Sequence, residues 1–395
     1  MRKRLVYNIE INTTCNLVCP SCPNGYVSQW RRGQRMSVEL YERILSKAQS
    51  ESDIEAIYLY VWNEPLLHPE LPEILQLSAE RGVRPSLSTN LNLIPKWMRE
   101  VLSADPTSIR ISMSGFKQDT YGITHAGGDA DEVKKNMGIL ADLHEEVGSR
   151  TSIEVLFHRY AHNLADEAPL RDFAQKLGFS FSSIWGIIMP IEKNLEMIQQ
   201  ETVAQESEPA KSLSGLVLLN SRDILPQLQH NPSTNCSLLD DQVTIDAAGN
   251  TVLCCAVSDF DQGRISSFVD TSLEEIVGLK SRHDLCGPCM SNGLHDFVTY
   301  SGGKFDEFAL QRLGDLATEG VADAKEVIRF LTDTATSLSK QNETLQSACD
   351  ERLHVIEELA TAADERGVLV ERLDAECTSL RKHIGELEAG RPNES

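Results

Sequence analysis

The sequence is poor in positive charge. Lysine and arginine together number 37, against 59 aspartates and glutamates, and the formal net charge is −22. Nucleic acids and anionic membrane surfaces bind basic protein faces, so we expect this chain to bind neither of them. Small molecules or other proteins are the expected partners.

Long apolar runs are missing as well. No uninterrupted stretch of about 20 apolar residues occurs, so we expect no transmembrane helix. The beginning, Met1 to Arg4, is basic like the start of a signal peptide, but Asn8 and Glu10 interrupt the segment that follows. We therefore expect a cytoplasmic protein. Thiols stay reduced in that compartment, so the ten cysteines indicate metal binding more than disulfide bonds.

Strand and helix patterns alternate over the first half of the chain. Predicted strands lie near 5–11, 54–61, 83–88, 108–113, 151–157 and 179–185. This alternation is typical of α/β proteins with a parallel sheet and crossover helices. Ligands of such folds bind at the carboxyl ends of the strands. We therefore expect the functional residues where each strand ends.

Three cysteines follow the first predicted strand within eight residues: Cys15, Cys19 and Cys22. A [4Fe-4S] cluster that is held by protein alone takes four cysteines, so three would leave one iron open to an outside ligand. A zinc site and unpaired core cysteines are the alternatives. Zinc, however, usually takes ligands from two paired cysteine hooks.

This Cys-x3-Cys-x2-Cys loop resembles that of the radical S-adenosylmethionine (SAM) enzymes. The resemblance implies a partial (β/α)6 TIM-like barrel and a [4Fe-4S] cluster whose open iron binds SAM. It also implies a 5′-deoxyadenosyl radical that abstracts a hydrogen atom from the substrate, and an external one-electron reductant such as flavodoxin or ferredoxin. Ser21 departs from the family, which usually carries an aromatic residue before the third cysteine.

The next strand ends resemble the SAM-binding motifs of the same family. The segment Trp62-Asn63-Glu64-Pro65 is similar to a Gly-Gly-Glu-Pro motif whose acidic side chain accepts a hydrogen bond from the SAM ammonium, a charge-assisted bond. The implied SAM contacts are Glu64, Thr89, Asn90 and Ser112. The alternatives are that Glu64 caps a helix and that the other three only form turns.

Polar residues after the later strands are candidates to face a substrate. His125 takes the position of a basic residue in relatives, and a histidine can switch between donor and acceptor near neutral pH. The further candidates are His158, Arg159, Glu192 and Lys193, with a surface role as the alternative for each. The arginines within Arg31 to Arg35 could bind a phosphate or carboxylate of the substrate, or could lie on a solvated turn.

A second cysteine set has the pattern Cys-x17-Cys-x31-Cys-x2-Cys around a predicted hairpin over 242–254: Cys236, Cys254, Cys286 and Cys289. Four thiolates complete a cluster without an outside ligand. The set resembles the twitch module, a one-cluster relative of the SPASM domain, and this implies a small α+β domain with an auxiliary [4Fe-4S] cluster. A zinc ribbon is the alternative. Cys255 is a candidate hydrogen-atom donor, or else a small buried residue.

The last segment carries a heptad pattern. Starting at Leu331 and advancing by alternating steps of four and three to Leu387, fourteen of seventeen positions are apolar. This pattern predicts a long helix in a coiled coil over 322–388. We expect it to form a homodimer or to bind a partner protein, with Asn342 at a seam position that would fix the register.

Four segments are therefore expected: a core barrel over 1–191, a linker or lid over 192–232, an auxiliary cluster domain over 233–305 and the coiled coil over 322–388. The first functional hypothesis is a radical SAM dehydrogenase or epimerase of a sugar or cyclitol, since the cysteine layout is similar to that of an amino-cyclitol dehydrogenase of the family. The second is a SPASM-type maturase of a ribosomally made peptide, although we expect no peptide-recognition domain before the first strand. The third is a coiled-coil scaffold with an inactive barrel. The intact cysteines of the first loop argue against this hypothesis.

Overall fold

The computed structural model describes residues 2–27, 33–199, 217–230, 232–300 and 305–318, and the single residues 327, 329, 330 and 332. The chain divides into two compact units, Met1–Val327 and Ile328–Ser395. Apart from those four single residues, the predicted coiled coil over 322–388 lies outside the described residues. It stays a prediction, and so do the four segment boundaries.

The first unit is built on a nine-stranded sheet. Its strands are β1 (Arg4–Ile9), β2 (Asp53–Tyr58), β3 (Ser86–Thr89), β4 (Ser108–Ser112), β5 (Ser152–Arg159), β6 (Ser180–Trp185), β7 (Gln242–Ile245), β8 (Asn250–Val252) and β9 (Arg264–Ser267). Their order across the sheet is β6-β5-β4-β3-β2-β1-β7-β8-β9. Strands β1 to β6 pair in parallel, so the predicted six-stranded parallel part of the fold is confirmed.

Helices connect these strands. Among the described residues they are Pro23–Tyr26, Val38–Glu51, Leu71–Glu80, Met98–Ser103, Gln118–Thr124, Ala130–Val147, Glu167–Lys176, Ile191–Gln199, Leu225–His230, Ser237–Asp240, Phe260–Gly263, Leu273–Lys280, Cys286–Ser291, Leu294–Val298 and Asp306–Thr318. Short 3-10 turns lie at Pro65–Leu67 and Leu164–Asp166. Ser37 caps the second helix, because its side chain accepts a hydrogen bond from the backbone N–H of Leu40. None of these helices is long and apolar enough to cross a membrane.

Side-chain alternation along the strands separates the core from the polar barrel interior. The buried residues Leu5, Tyr7 and Ile9 of β1 belong to the main hydrophobic core together with residues of the connecting helices. Successive side chains of a strand point to opposite faces of the sheet, so Asn8 and Glu10 point to the other face. Both side chains are buried there, Glu10 completely.

The later part of the first unit extends the same sheet. Strand β7 pairs in parallel with β1, from Val6 opposite Gln242 to Ile9 opposite Ile245. Strands β8 and β9 follow in antiparallel pairing, and the predicted hairpin turn contains Gly249 at a φ of +83°, a conformation that favours glycine. Strand β9 was not predicted, because it is short and has only one apolar residue. The region of the second cysteine set is thus attached to the strand that precedes the first cysteine loop.

Two glycines of the helix Ala130–Val147 and its end allow a matched stability test. Gly138 lies inside the helix with open space where a Cβ would be, and Gly148 follows the helix at a φ of +65°. We expect Gly138→Ala to raise the free energy of unfolding by roughly 0.5–1 kcal/mol and Gly148→Ala to lower it by roughly 1 kcal/mol. Urea unfolding followed by circular dichroism measures both. Equal shifts of the same sign would contradict the helix end that we describe.

Candidate active site and auxiliary metal centre

The first cysteine loop is fixed to the ends of two neighbouring strands. The Asn12 side chain accepts a hydrogen bond from the backbone N–H of Thr14 at 2.8 Å and donates one to the Glu64 carbonyl at 3.1 Å. The backbone N–H of Glu64 in turn donates to the Thr14 carbonyl at 2.9 Å. The loop therefore starts at the carboxyl edge of the sheet, where ligands of parallel folds bind.

The same loop folds back tightly on itself. The backbone N–H of Cys22 donates to the Cys19 carbonyl at 3.0 Å, and the Asn24 side chain donates to the Leu17 carbonyl. A Cβ built on Gly25 would lie 2.1 Å from the Cys19 carbonyl oxygen, so only glycine fits there without a shift of the loop. This close approach holds the three cysteines within one short arc of chain.

The three thiols are buried at a place where a negative charge on sulfur is unfavourable. Burial raises the pKa of Cys15 to about 11 and that of Cys22 to about 12. Burial also raises the pKa of Cys19, and the charges of Cys22 and Cys15 raise it further. Thiolates in such a place need a positive metal centre beside them. Among the described residues, no three His, Cys, Asp or Glu side chains are grouped to hold a single metal ion.

Glu64 lies beside this loop and is almost fully buried, with 3% of its surface exposed. Its carboxylate accepts hydrogen bonds from the backbone N–H groups of Leu66 at 3.0 Å and Asn90 at 2.8 Å. Burial raises the pKa of Glu64 to about 7, although these hydrogen bonds lower it. Glu64 therefore caps the turn at Pro65–Leu67, as the alternative predicted. Its charge also raises the pKa of the Cys15 thiol, so the side chain is close to the cysteine loop as well.

Asn90 connects the end of β3 with the cysteine loop. Its side chain donates to Asn16 Oδ1 at 2.9 Å and approaches Cys15 Sγ at 3.7 Å. Thr89 uses its side chain twice: Oγ1 accepts a hydrogen bond from the backbone N–H of Leu91 at 2.9 Å, and the hydroxyl also hydrogen-bonds with the Glu64 carboxylate. The structure thus brings Glu64 and Asn90 together with Cys15, while Thr89 forms the turn that places Asn90.

A cavity of about 380 Å³ opens next to the cysteine loop. This volume is in the range of small-molecule sites, roughly 300–1000 Å³. Its lining residues are Cys19, Ser21, Cys22, Val61, Trp62, Ser112, Thr124, His125, His158, Tyr160, Ile184, Trp185, Ile187, Met189, Val298 and Tyr300. Two cysteines of the loop and the predicted residues Ser112, His125 and His158 therefore face one common space.

Both histidines of this cavity are neutral at physiological pH. Burial lowers the pKa of His125 to about 3, and the charge of His158 lowers it further. Burial also lowers the pKa of His158 to about 4, with a further contribution from the charge of Arg110. The expectation that His125 switches near neutral pH is therefore wrong. The reason is that the strand ends enclose the ring, which the sequence pattern did not indicate.

Other predicted substrate-facing residues are engaged elsewhere and do not line the cavity. Arg159 donates to the two carboxylate oxygens of Glu167 at 2.7 and 2.9 Å. Glu192 accepts hydrogen bonds from the backbone N–H groups of Ser258 and Asp259, and Lys193 pairs with Glu196 at 2.6 Å. Of the predicted arginine cluster, Arg35 is exposed, and Arg31 and Arg32 lie outside the described residues.

Four aromatic residues of the cavity were not predicted: Trp62, Tyr160, Trp185 and Tyr300. The Trp62 indole donates to the Val257 carbonyl at 3.0 Å and so ties the end of β2 to the segment after Cys254. The Tyr160 hydroxyl bonds with Ser21. An aromatic ring therefore lies beside the residue that precedes the third cysteine. The one sequence signal for Tyr160 was its position just after His158, at the end of the fifth predicted strand.

The second cysteine set converges on one apolar pocket. Its lining residues are Ile191, Cys236, Leu238, Leu239, Leu253, Cys254, Leu285, Cys286, Cys289, Met290 and His295. All four predicted cysteines are among them, although they are distant in sequence. Burial raises the pKa of Cys254, Cys286 and Cys289. The pocket therefore suits a cluster that takes four thiolates and no outside ligand.

Two further residues accompany this pocket. Cys255 Sγ lies 4.0 Å from Gln242 Oε1, and burial raises the pKa of its thiol to about 11. Cys255 does not line the substrate-sized cavity, so its candidate role as a hydrogen-atom donor stays a prediction without direct geometric support. Lys280, which the sequence analysis missed, is 1% exposed and donates to three backbone carbonyls.

Comparison with known proteins relates the fold to one superfamily. Residues 9–159 match the family model described as the radical SAM superfamily. A probable GTP 3′,8-cyclase of Methanococcus maripaludis strain C5 is 28% identical over 207 residues, which are 52% of this chain and 66% of the cyclase. The match thus spans just under two thirds of that relative's length.

Two solved structures share the fold at low sequence identity. Streptococcus suis SuiB bound to precursor peptide SuiA has a TM-score of 0.50 and 16% identity, covering 79% of this chain and 74% of that one. Native anSMEcpe with bound AdoMet has a TM-score of 0.50 and 14% identity, covering 80% of this chain and 98% of that one. The partial-barrel fold that the cysteine loop implied is therefore confirmed.

The close contact at Gly25 predicts a selective defect. Gly25→Ala would force a methyl group into the Cys19 carbonyl, so we expect anaerobic reconstitution to give about four fewer irons per chain with an unchanged circular dichroism spectrum. Gly287→Ala is the matched control, because Gly287 lies between Cys286 and Cys289 with open space around it. Equal iron contents of both variants and the wild type would contradict the prediction.

The buried histidines predict an acid-sensitive fold. An unfolded chain protonates histidine near pH 6.5, while His158 in the folded chain stays neutral until about pH 4. Stability therefore falls as the pH decreases from about 6.5 to about 4. Between pH 7.5 and pH 5 the free energy of unfolding decreases in the wild type, and we expect this decrease to be roughly 1–2 kcal/mol smaller in His158→Asn. Urea unfolding of the metal-free chains at the two pH values measures this, and identical losses would refute it.

Proposed function

This chain carries a radical SAM domain over residues 9–159, and from that premise we propose an oxidoreductase of a small, hydroxyl-bearing substrate such as a sugar or cyclitol. The observation that carries the proposal is the presence of two separate cysteine sites in one structural unit. A three-cysteine loop borders a small-molecule cavity, and a four-cysteine pocket lies apart from it. The first site suits a source of radicals and the second suits an acceptor for one electron.

The residues around the first loop fit SAM and a [4Fe-4S] cluster. When bound, these groups would supply a 5′-deoxyadenosyl radical that takes a hydrogen atom from the substrate. Cys15, Cys19 and Cys22 would hold three irons. Glu64 and Asn90 adjoin Cys15 and would contact the amino-acid part of SAM, and an outside one-electron reductant such as flavodoxin or ferredoxin would be required.

The uncharged character of the cavity favours a neutral polyol. None of its described lining residues is an aspartate, glutamate, lysine or arginine. Its polar groups, Ser112 and the two neutral histidines, can exchange hydrogen bonds with hydroxyl groups. The aromatic faces of Trp62 and Trp185 offer apolar contact to a sugar ring. The described lining thus gives no support to a phosphate or carboxylate on the substrate.

The oxidation needs a place for a proton as well as for an electron. Converting a hydroxyl-bearing carbon to a carbonyl removes one hydrogen atom, one proton and one electron. The hydrogen atom would leave from carbon. His125 or His158 would accept a hydrogen bond from the hydroxyl group, and the hydroxyl proton would pass to water, because both rings are too weakly basic to hold it near neutral pH. The electron would pass to the four-cysteine site. Epimerisation is the close variant, in which a thiol such as Cys255 would return a hydrogen atom to the same carbon.

Maturation of a ribosomally made peptide is the second candidate, because SuiB, which shares the fold, was solved with its precursor peptide. The cavity of about 380 Å³ favours the small molecule over it. A scaffold with an inactive barrel is disfavoured by the intact cysteine loop at the cavity. Homodimerisation through 322–388 remains part of the proposal.

Anaerobic reconstitution tests the proposal. We expect about eight irons per chain and formation of 5′-deoxyadenosine from SAM after chemical reduction. The variant Cys15→Ala/Cys19→Ala/Cys22→Ala should keep about four irons and form no 5′-deoxyadenosine. A wild-type chain that binds about four irons and cleaves no SAM would refute the enzyme.

Turnover in heavy water separates the possible reactions. Sugars, cyclitols and short peptides would be screened by the increase in 5′-deoxyadenosine that they cause. We expect an oxidised product without solvent deuterium, because a dehydrogenase returns no hydrogen to carbon. Deuterium on an inverted carbon would establish an epimerase instead, and stimulation by peptides alone would favour the maturase.

A further inference from the structure

A buried lysine accompanies the four-cysteine pocket. Lys280 ends the helix Leu273–Lys280, and its side chain is 1% exposed. Its ammonium donates to the carbonyls of Leu238 at 3.1 Å, Leu239 at 3.2 Å and Gln242 at 2.8 Å. An ammonium group has three donors, so all of them are used and the charge is held in one place.

The acceptors of Lys280 belong to the segment that follows the first cysteine of the pocket. Leu238 and Leu239 lie in the short helix after Cys236, and Gln242 begins β7. On the other side, the Lys280 carbonyl lies 3.7 Å from Cys286 Sγ. Lys280 therefore contacts the chain beside two of the four cysteines, Cys236 and Cys286.

Hydrogen bonds to carbonyls satisfy the donors of a lysine but do not neutralise its charge. A buried charge is unfavourable unless an opposite charge lies close to it. Burial lowers the pKa of Lys280, and negative charge on Cys254, Cys236, Cys286 and Cys255 raises it. Thiolates at the cysteine site would therefore balance the buried ammonium that the three carbonyls hold in place.

We propose that Lys280 is a positioning residue that raises the reduction potential of the auxiliary [4Fe-4S] cluster through its fixed positive charge. This inference rests on the proposed function, which places a cluster in the pocket. Reduction adds negative charge to a site that already contains four thiolates, and a buried cation stabilises the reduced form more than the oxidised form. A higher potential makes the site a better acceptor for the electron of an oxidised substrate.

The test uses the full-length chain with Cys15→Ala, Cys19→Ala and Cys22→Ala, so that only the auxiliary site can bind iron. Lys280→Gln keeps a hydrogen-bond donor and removes the charge, whereas Lys280→Arg keeps the charge. Arg282→Gln is the matched control, because Arg282 is exposed and only two residues away. The measurements are iron per chain and the midpoint potential in an anaerobic titration followed by electron paramagnetic resonance.

We expect the parent and all three variants to hold about four irons. Lys280→Gln should shift the midpoint potential to a more negative value, while Lys280→Arg and Arg282→Gln should stay near the parent. An unchanged potential in Lys280→Gln would overturn the proposal and leave Lys280 as a purely structural residue.

Iron loading separates the remaining outcomes. If Lys280→Gln loses its iron and Lys280→Arg keeps it, the requirement for the charge is supported. If both lose it, while circular dichroism shows both chains folded, the shape of the side chain matters more than its charge and the proposal fails. A parent that binds no iron would overturn the auxiliary cluster itself, which is a failure of the proposed function and not of Lys280 alone.

Discussion

The parallel hydrogen bonding between β1 and β7 is the interaction on which the arrangement of both sites depends. Strand β1 leads directly into the three-cysteine loop, and β7 lies between Cys236 and Cys254. Val243 and Ile245 of β7 belong to the main hydrophobic core, and the pairing makes one continuous sheet from β6 to β9. Two cysteine sites are thereby held in one structural unit, which a flexible linker between separate domains would not achieve.

Side-chain contacts strengthen the connection that this pairing begins. The Trp62 indole reaches the Val257 carbonyl from the end of β2, and Glu192 caps the N–H groups of Ser258 and Asp259. Both contacts end in the segment just after Cys254 and Cys255. The chain between the cavity and the four-cysteine pocket is thus held from two directions, as the proposed electron transfer between the two sites would require.

Burial decides the charge state of the important ionisable groups. The cavity histidines are kept neutral, the pKa of Glu64 is raised to about 7, and the ammonium of Lys280 is placed against cysteines. Each of these groups would have an ordinary charge at the surface. Because the barrel interior and the pocket exclude water, small changes in ligand or metal charge act strongly on them.

Local sequence patterns were sufficient for the framework of the molecule. Apolar residues alternate with polar ones in most of the parallel strands β1 to β6, so the strands could be predicted to within a few residues. The spacing of Cys15, Cys19 and Cys22 indicated the superfamily whose model matches residues 9–159. The pattern of the later cysteines also predicted which four cysteines share a pocket.

Only the tertiary structure decided which distant residues complete the sites. Tyr300 joins Trp185 in the cavity, and Lys280 meets the segment after Cys236. No local pattern predicts such contacts. They depend on how the chain folds back onto the sheet, in the case of Tyr300 and Trp185 after more than one hundred residues. The neutral state of His125 is likewise a consequence of its burial, which a sequence position alone does not reveal. The sequence by itself determined the elements and the two sets of cysteines, and the packing of those elements determined the shape and charge of the site.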